Sequence, residues 1–200
     1  MKGKQVKPTA TCEWIRIEPV LGEKCLAETP NELLTMESIQ AIFEFRANLL
    51  LQRTGFQLSG LLLGEKKVHP LDAWNSVQNF YVQDVAKAYG QLYIMTESIN
   101  RISAIMKGED SKEANDDTKE SLVLLLKLDA LCNMLKDIGT WLEAEYFNAH
   151  HVQMIRDTIN ETLTALKRHA VAFTYAFSPP EDLVDSMLAP EDGNLYKSIT

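Results

Sequence analysis

The sequence predicts an all-α fold, an elongated up-and-down bundle of about four long helices behind an irregular amino-terminal leader. Three observations predict it. Apolar residues recur at three- and four-residue spacing over several long stretches, the signature of one buried helix face. Only nine Gly and seven Pro punctuate 200 positions, which favours long uninterrupted elements over a sheet with many turns. The 46% hydrophobic and 24% charged residues are the proportions of a globular domain, and a chain this long buries roughly 70% of its unfolded surface.

Residues 1–31 form the leader. Pro8, Pro19, Gly22 and Pro30 break it up, and it is expected to be disordered or to lie as an extended strip on a partner surface. Residues 32–200 form the helical domain. From Glu32 to Gly60, Met36, Ile39, Phe43, Ala47 and Leu50 mark the first stripe, with Gly60 and Gly64 as stops. Pro70 suits the first turn of the second and longest helix, because its missing N–H is an orphan there in any case. Val77, Tyr81, Val85, Ala88, Leu92, Met95, Ile99, Ile102 and Met106 line one face of it, up to a stop at Gly108. A continuous run from Pro70 to Met106 would span roughly 55 Å, longer than a compact globule of this size, unless Gly90 kinks it. That excess length leaves helix ends or faces for another domain or subunit.

Glu109 to Glu120 reads as a solvated loop, with Asp117 and Glu120 offering a capping box for the third helix. Leu122, Leu125, Leu126, Cys132, Leu135, Ile138 and Leu142 make its apolar face. Asn148 caps the fourth helix, whose stripe is Val152, Ile155, Ile159, Leu163, Leu166, Ala170, Phe173 and Phe177. Ser178-Pro179-Pro180 ends it. A short helical turn from Glu181 to Met187 and a loop from Ala189 to Asn194 follow.

Several chemistries are disfavoured. Twenty Lys and Arg against 28 Asp and Glu leave a net charge of −8, opposite to what nucleic-acid phosphates attract. Cys12, Cys25 and Cys132 are odd in number and widely spaced, which fits a reducing, intracellular setting and no zinc site. No apolar run is long enough for a membrane span, and no apolar core follows the basic start as a secretory signal requires. His150 and His151 are adjacent and point about 100° apart on a helix, so they read as solvated helix-terminal histidines and no metal site is expected. Nucleophile-elbow, zincin and dinucleotide motifs are absent, and no catalytic residue is assigned. Trp74 and Trp141 read as core or interface packing.

Ile138-Gly-Thr-Trp-Leu-Glu-Ala-Glu-Tyr-Phe147, followed by Ile155-Arg156, resembles the carboxy-terminal helical domain of acyl-CoA oxidases, where the pattern is G-x-F-L-E-x-G-Y-L and then I-R. Leu166-Lys-Arg-His-Ala-Val-Ala172 with Ala176-Phe177 resembles the family's L-R-x-x-A-V-A-L-V-D-A-F, and Asp192-Gly-Asn-Leu-Tyr196 its D-G-N-V-Y. Upstream, Phe45-Arg-Ala-Asn-Leu-Leu50 is similar to R-A-A-R-L-L, and Trp74-Asn75 to A-W-N. The resemblance spans about Leu33 to Tyr196. Two departures mark the chain as a divergent, oxidase-like member. Tyr175 replaces the aspartate of V-D-A-F, and Pro190-Glu191 stands where the family has G-R-Y.

The resemblance implies an FAD-dependent, peroxisomal, homodimeric family that turns acyl-CoA into trans-2-enoyl-CoA and reduces O2 to H2O2. Its base, a glutamate in T-F-E-G-x-N, lies upstream of the matched region, and no T-F-E-G occurs in these 200 residues. A positioned base commonly supplies 10²–10⁴-fold in rate. The expectation is therefore a non-catalytic structural or dimerisation part that binds no FAD alone. Its partner would be the catalytic half or second subunit of an oxidase. The ending Ser198-Ile199-Thr200 lacks the basic and leucine positions of a peroxisomal S-K-L address, so a cytoplasmic location is expected if the short form has no other signal. Gly139 is expected to allow a bend or close helix approach, and Asp192, Gly193 and Asn194 a tight turn with Tyr196 packed back on the bundle. The alternative is an unrelated helical protein-interaction module.

Overall fold

The computed structural model describes residues 12–65, 67–109, 114–178 and 183. They form helices and connecting loops with no strand among the described residues. A one-turn helix α1 (Pro30–Leu33) is held by a reciprocal capping box between Thr29 and Glu32. The chain resets at Thr35, whose hydroxyl accepts from the Ser38 N–H at 3.1 Å, and α2 (Met36–Leu63) follows. Gly64 ends α2. A Cβ there would fall 2.4 Å from the Gly60 carbonyl oxygen, so only glycine fits this cap without a shift.

Next comes a long helical run built from α3 (Pro70–Val77), a π-helical turn (Gln78–Val82) and α4 (Gln83–Lys107). Its irregularity sits at the π turn and not at Gly90, through which α4 passes unbroken. Gly108, at φ +76°, closes α4 in the left-handed conformation that costs glycine little. The third long helix, α5 (Asp116–Lys136), is capped by Asn115, which accepts from the Thr118 N–H at 2.8 Å, and not by the expected Asp117–Glu120 box. It also stops earlier than its stripe suggests. The chain breaks at Asp137, and Ile138 and Leu142 belong to a separate short helix, α6 (Ile138–Glu143). Asn148 caps α7 (Ala149–Leu166) as expected, and a 3-10 turn (Lys167–His169) leads into α8 (Ala170–Phe177). The expected turn at Glu181 to Met187 lies outside the described residues apart from Leu183.

In chain order α2 packs on α4, α4 on α5, and α5 on α7, the neighbour pattern of an up-and-down bundle. The core is formed by Ile39, Ile42, Phe43 and Leu49 of α2, Leu92, Met95 and Ile99 of α4, Leu126, Leu131 and Met134 of α5, and Ile155 of α7. The leader between Cys12 and Thr29 lies on the chain's own α2, where a disordered segment or an extended strip on a partner surface had been expected. Two amides reach it from α2. Asn48 Oδ1 accepts from the Arg16 N–H at 2.7 Å while its Nδ2 donates to the Trp14 carbonyl at 2.8 Å. Gln52 Oε1 accepts from the Val20 N–H at 3.1 Å and its Nε2 donates to the Glu18 carbonyl at 2.8 Å. These bonds satisfy an extended backbone that has no ladder of its own, and Val20 is fully buried as a result.

Candidate functional site

Two features stand apart from ordinary packing, and the first is a buried arginine. Arg46 is in the middle of the apolar stretch of α2 and is 4% exposed. Its Nη2 meets Asp137 Oδ2 at 2.8 Å, at the break between α5 and α6, and its Nη1 donates to Gln91 Oε1 of α4. Gln91 Nε2 then donates to Asn133 Oδ1 of α5 at 3.1 Å. The guanidinium carbon lies 5.3 Å from the centroid of the Trp141 ring, a cation–π distance. Burial pulls the Arg46 guanidinium below its ordinary value, while the Asp137 and Asp84 carboxylates act to raise it. One polar knot thus ties α2, α4, α5 and α6 together.

Around it the turn from α6 to α7 is an aromatic plug. Trp141 is fully buried, edge-on to Phe43 and stacked at 5.6 Å on Phe147. Tyr146 stacks at 3.9 Å on Phe45, and burial pushes its phenol well above the ordinary range. His151 stacks at 5.4 Å on Phe147 and is 5% exposed. The expectation of a solvated histidine is wrong for it, because its Nδ1 accepts from the Asn148 N–H to complete the cap of α7. Burial holds its pKa below the ordinary value. Glu145 sits at φ +56°, the one non-glycine in the left-handed region among the described residues. The G-x-F-L-E-x-G-Y-L pattern has its second glycine at this step. Two segments singled out by sequence, Phe45–Leu50 and Ile138–Phe147, therefore meet in space, and their residues lock the bundle.

Gly139 is the second residue of α6, just past the break. A Cβ there would meet nothing within 4 Å, so close helix approach is not its role. Asp192, Gly193, Asn194 and Tyr196 lie outside the described residues. Sequence reasoning passed over Arg46, Gln91, Asn133 and Asp137 as a group. The available signal was a lone arginine flanked by Phe45 and Ala47 within an apolar stripe. Among the described residues no three His, Cys, Asp or Glu come together as metal ligands. No helix there is long and apolar enough to cross a membrane.

The second feature is an uncovered apolar end. Every buried residue of α2 lies between Ile39 and Leu49; its second half buries none. Phe56 and Leu63 on that half are exposed, as are Leu71 and Trp74 on α3 and Phe80 in the π turn. A groove of about 640 Å³ opens beside Phe56, lined also by Leu21, Leu49 and Tyr81, with an Arg53–Glu143 ion pair at 3.1 Å. The last turns of the helical stripe are uncovered too, since α8 buries no side chain and Phe177 is 78% exposed.

A model of the acyl-CoA oxidase family matches residues 35–200. The chain belongs to the acyl-CoA oxidase family. Acyl-coenzyme A oxidase 1 of Yarrowia lipolytica is 23% identical over 170 residues, covering 84% of this chain and 23% of that protein. Acyl-CoA oxidase 1 of Arabidopsis thaliana has the same fold, with a TM-score of 0.81 and 20% identity over 98% of this chain and 28% of that one. The tomato acyl-CoA oxidase superposes with a TM-score of 0.80, at 20% identity and the same coverages. The chain thus spans about a quarter of the length of the oxidases it matches. The alternative of a module unrelated to the oxidases is set aside by the family match. Tyr175, which replaces the family's aspartate, is 57% exposed on α8, so the departure falls on an uncovered face and leaves the buried knot intact.

Proposed function

We propose that these 200 residues serve as the helical carboxy-terminal part of an FAD-dependent acyl-CoA oxidase. In this reading they supply packing and subunit support to fatty-acid β-oxidation, in the family's peroxisomal setting, and not the base that removes the acyl α-proton. The observation that carries the reading is the family match over residues 35–200 in a chain about a quarter as long as its relatives. When bound, the flavin of the family accepts the β-hydride. The grooves beside Phe56 and beside Tyr89 do not fit it on their own. The first offers one arginine already paired to Glu143, and the second one arginine, Arg16, already paired to Glu23 and set among Glu13, Glu44 and Glu97, whereas a dinucleotide's pyrophosphate calls for clustered cations or a helix N-terminus.

What this chain's own residues do is mechanical. The Arg46 knot fixes the relative positions of α2, α4, α5 and α6, and the aromatic plug holds the start of α7. Such a rigid bundle can hold a neighbouring domain or subunit in one orientation. The test is to incubate the purified chain with FAD and a long-chain acyl-CoA. No retained flavin and no peroxide is the expected result; turnover with peroxide release would overturn the supporting role.

A further inference from the structure

We propose that the groove between the leader strap, α2 and α4 is a binding site for a small quaternary ammonium ion. The inference is independent of the supporting role above.

Three elements build the groove. Tyr89, Tyr93 and Glu97 recur at four-residue steps on α4, so they share one face of that helix. Gln40 and Glu44 stand one turn apart on α2. The strap, which Asn48 pins to α2 through the backbone of Trp14 and Arg16, brings Glu13 and Trp14 to the same place. Trp14 stacks on Tyr89 at 5.5 Å, and Tyr93 follows at 6.4 Å from Tyr89, tilted by 44°. A row of three rings thus lines a space of about 480 Å³, within the ~300–1,000 Å³ of small-molecule sites.

Charge decides what the space can hold. Three carboxylates, Glu13, Glu44 and Glu97, line it with one guanidinium, Arg16. Arg16 is already engaged, 3.0 Å from Glu23 and 4.0 Å from Glu44. Glu44 also accepts from Gln40 Nε2 at 2.9 Å. Among the described residues no ion pair reaches Glu13 or Glu97. The groove therefore keeps an excess of negative charge, on a protein whose net charge is −8, and both attract a cation.

The kind of cation follows from the lining. A bound metal ion needs converging ligands, and among the described residues no three His, Cys, Asp or Glu converge. What the groove offers is aromatic surface beside unpaired carboxylates. A methylated ammonium has no N–H to satisfy and is held by the ring quadrupole together with a nearby negative charge. Glu13, Trp14 and Arg16 precede the 35–200 match to the family, so part of the site comes from residues that family membership does not account for.

The test titrates the full 200-residue chain with choline chloride at low salt, against sodium chloride at matched ionic strength. The N-methyl proton signal is followed by NMR, with calorimetry alongside. A saturable upfield shift with one site per chain is expected, because ring currents act on methyl groups held beside the three rings. The neutral isostere tert-butylethanol, with carbon in place of nitrogen, is expected to bind roughly fivefold or more weakly. Tyr93→Ala and Glu97→Gln are each expected to weaken choline roughly two- to fivefold. Tyr93 is 53% exposed and Glu97 is on the surface, so both variants should melt with the wild type. No saturable shift, equal binding of the neutral alcohol, or an affinity unchanged in both variants would each overturn the site. So would choline binding seen only when Lys2→Gln, Lys4→Gln and Lys7→Gln are combined, which would assign the groove to the chain's own lysines.

Discussion

Removing Asp137 should cost the bundle more than removing the arginine it pairs with. In Asp137→Ala the Arg46 guanidinium, 4% exposed, keeps its charge and loses its one close carboxylate, leaving Gln91 as its hydrogen-bond acceptor. Breaking a buried pair from one side typically costs 3–5 kcal/mol. Asp137 is itself 28% exposed, so water can replace part of what is lost, and about 3 kcal/mol is the expected penalty. In Arg46→Met the stem volume is kept, the buried charge disappears, and Asp137 can be hydrated where it stands. Gln91 keeps Asn133. The expected loss is only about 1 kcal/mol, since apolar replacement of a buried pair is often near neutral. For a chain of this size the Asp137→Ala penalty lowers Tm by roughly 6–12 °C. Urea unfolding followed by circular dichroism gives both numbers, and the double variant should sit near Arg46→Met alone. A loss below about 1 kcal/mol for Asp137→Ala, or a larger loss for Arg46→Met, would refute the idea that the knot is an ion pair held out of water.

Asn48→Ala removes both amide bonds to the leader and should destabilise by about 2–3 kcal/mol; faster tryptic cleavage after Arg16 would show the strap released. Glu145→Gly relieves a left-handed φ of 56° and should raise stability by about 0.5–1 kcal/mol by thermal melt. Gly108→Ala, at φ +76°, should lose about 1 kcal/mol by the same reasoning reversed. His151 is buried with its pKa held below the ordinary value, so the unfolded chain binds a proton at a higher pH than the folded one. Its contribution is fully present above about pH 6.5 and is lost as pH falls towards the folded value. Urea midpoints between pH 7.5 and 5.5 should decline in the wild type and less so in His151→Gln.

The four long helices were legible because each alternates on a 3.6-residue period strong enough to survive reading without partners. The boundary at Asp137 was not, because Ile138 and Leu142 continue the α5 stripe in sequence while the backbone breaks just before them. The Arg46 knot draws on residues 45 and 91 positions away, and nothing local to α2 announces them. Val20 is core only because Gln52 pins the strap above it, a tertiary fact invisible in the leader's irregular composition. For α8 the stripe stated what the helix could bury. It could not state whether a neighbour would be present, and Phe177 stands uncovered. His151 was misread because its adjacency to His150 suggested a solvated pair, whereas the cap of α7 turns one ring inward.

The π turn at Gln78–Val82 has a consequence for how this helix can change length. A π turn holds one more residue than the α-helical turn it replaces. Deleting one residue there would give a straight helix with the faces on both sides still in phase. The same deletion in α4 ahead of Leu92 would swing everything beyond it by about 100° and pull Leu92, Met95 and Ile99 out of the core. Among the described residues from Pro70 to Lys107, single-residue gaps and insertions between relatives should therefore collect at this turn.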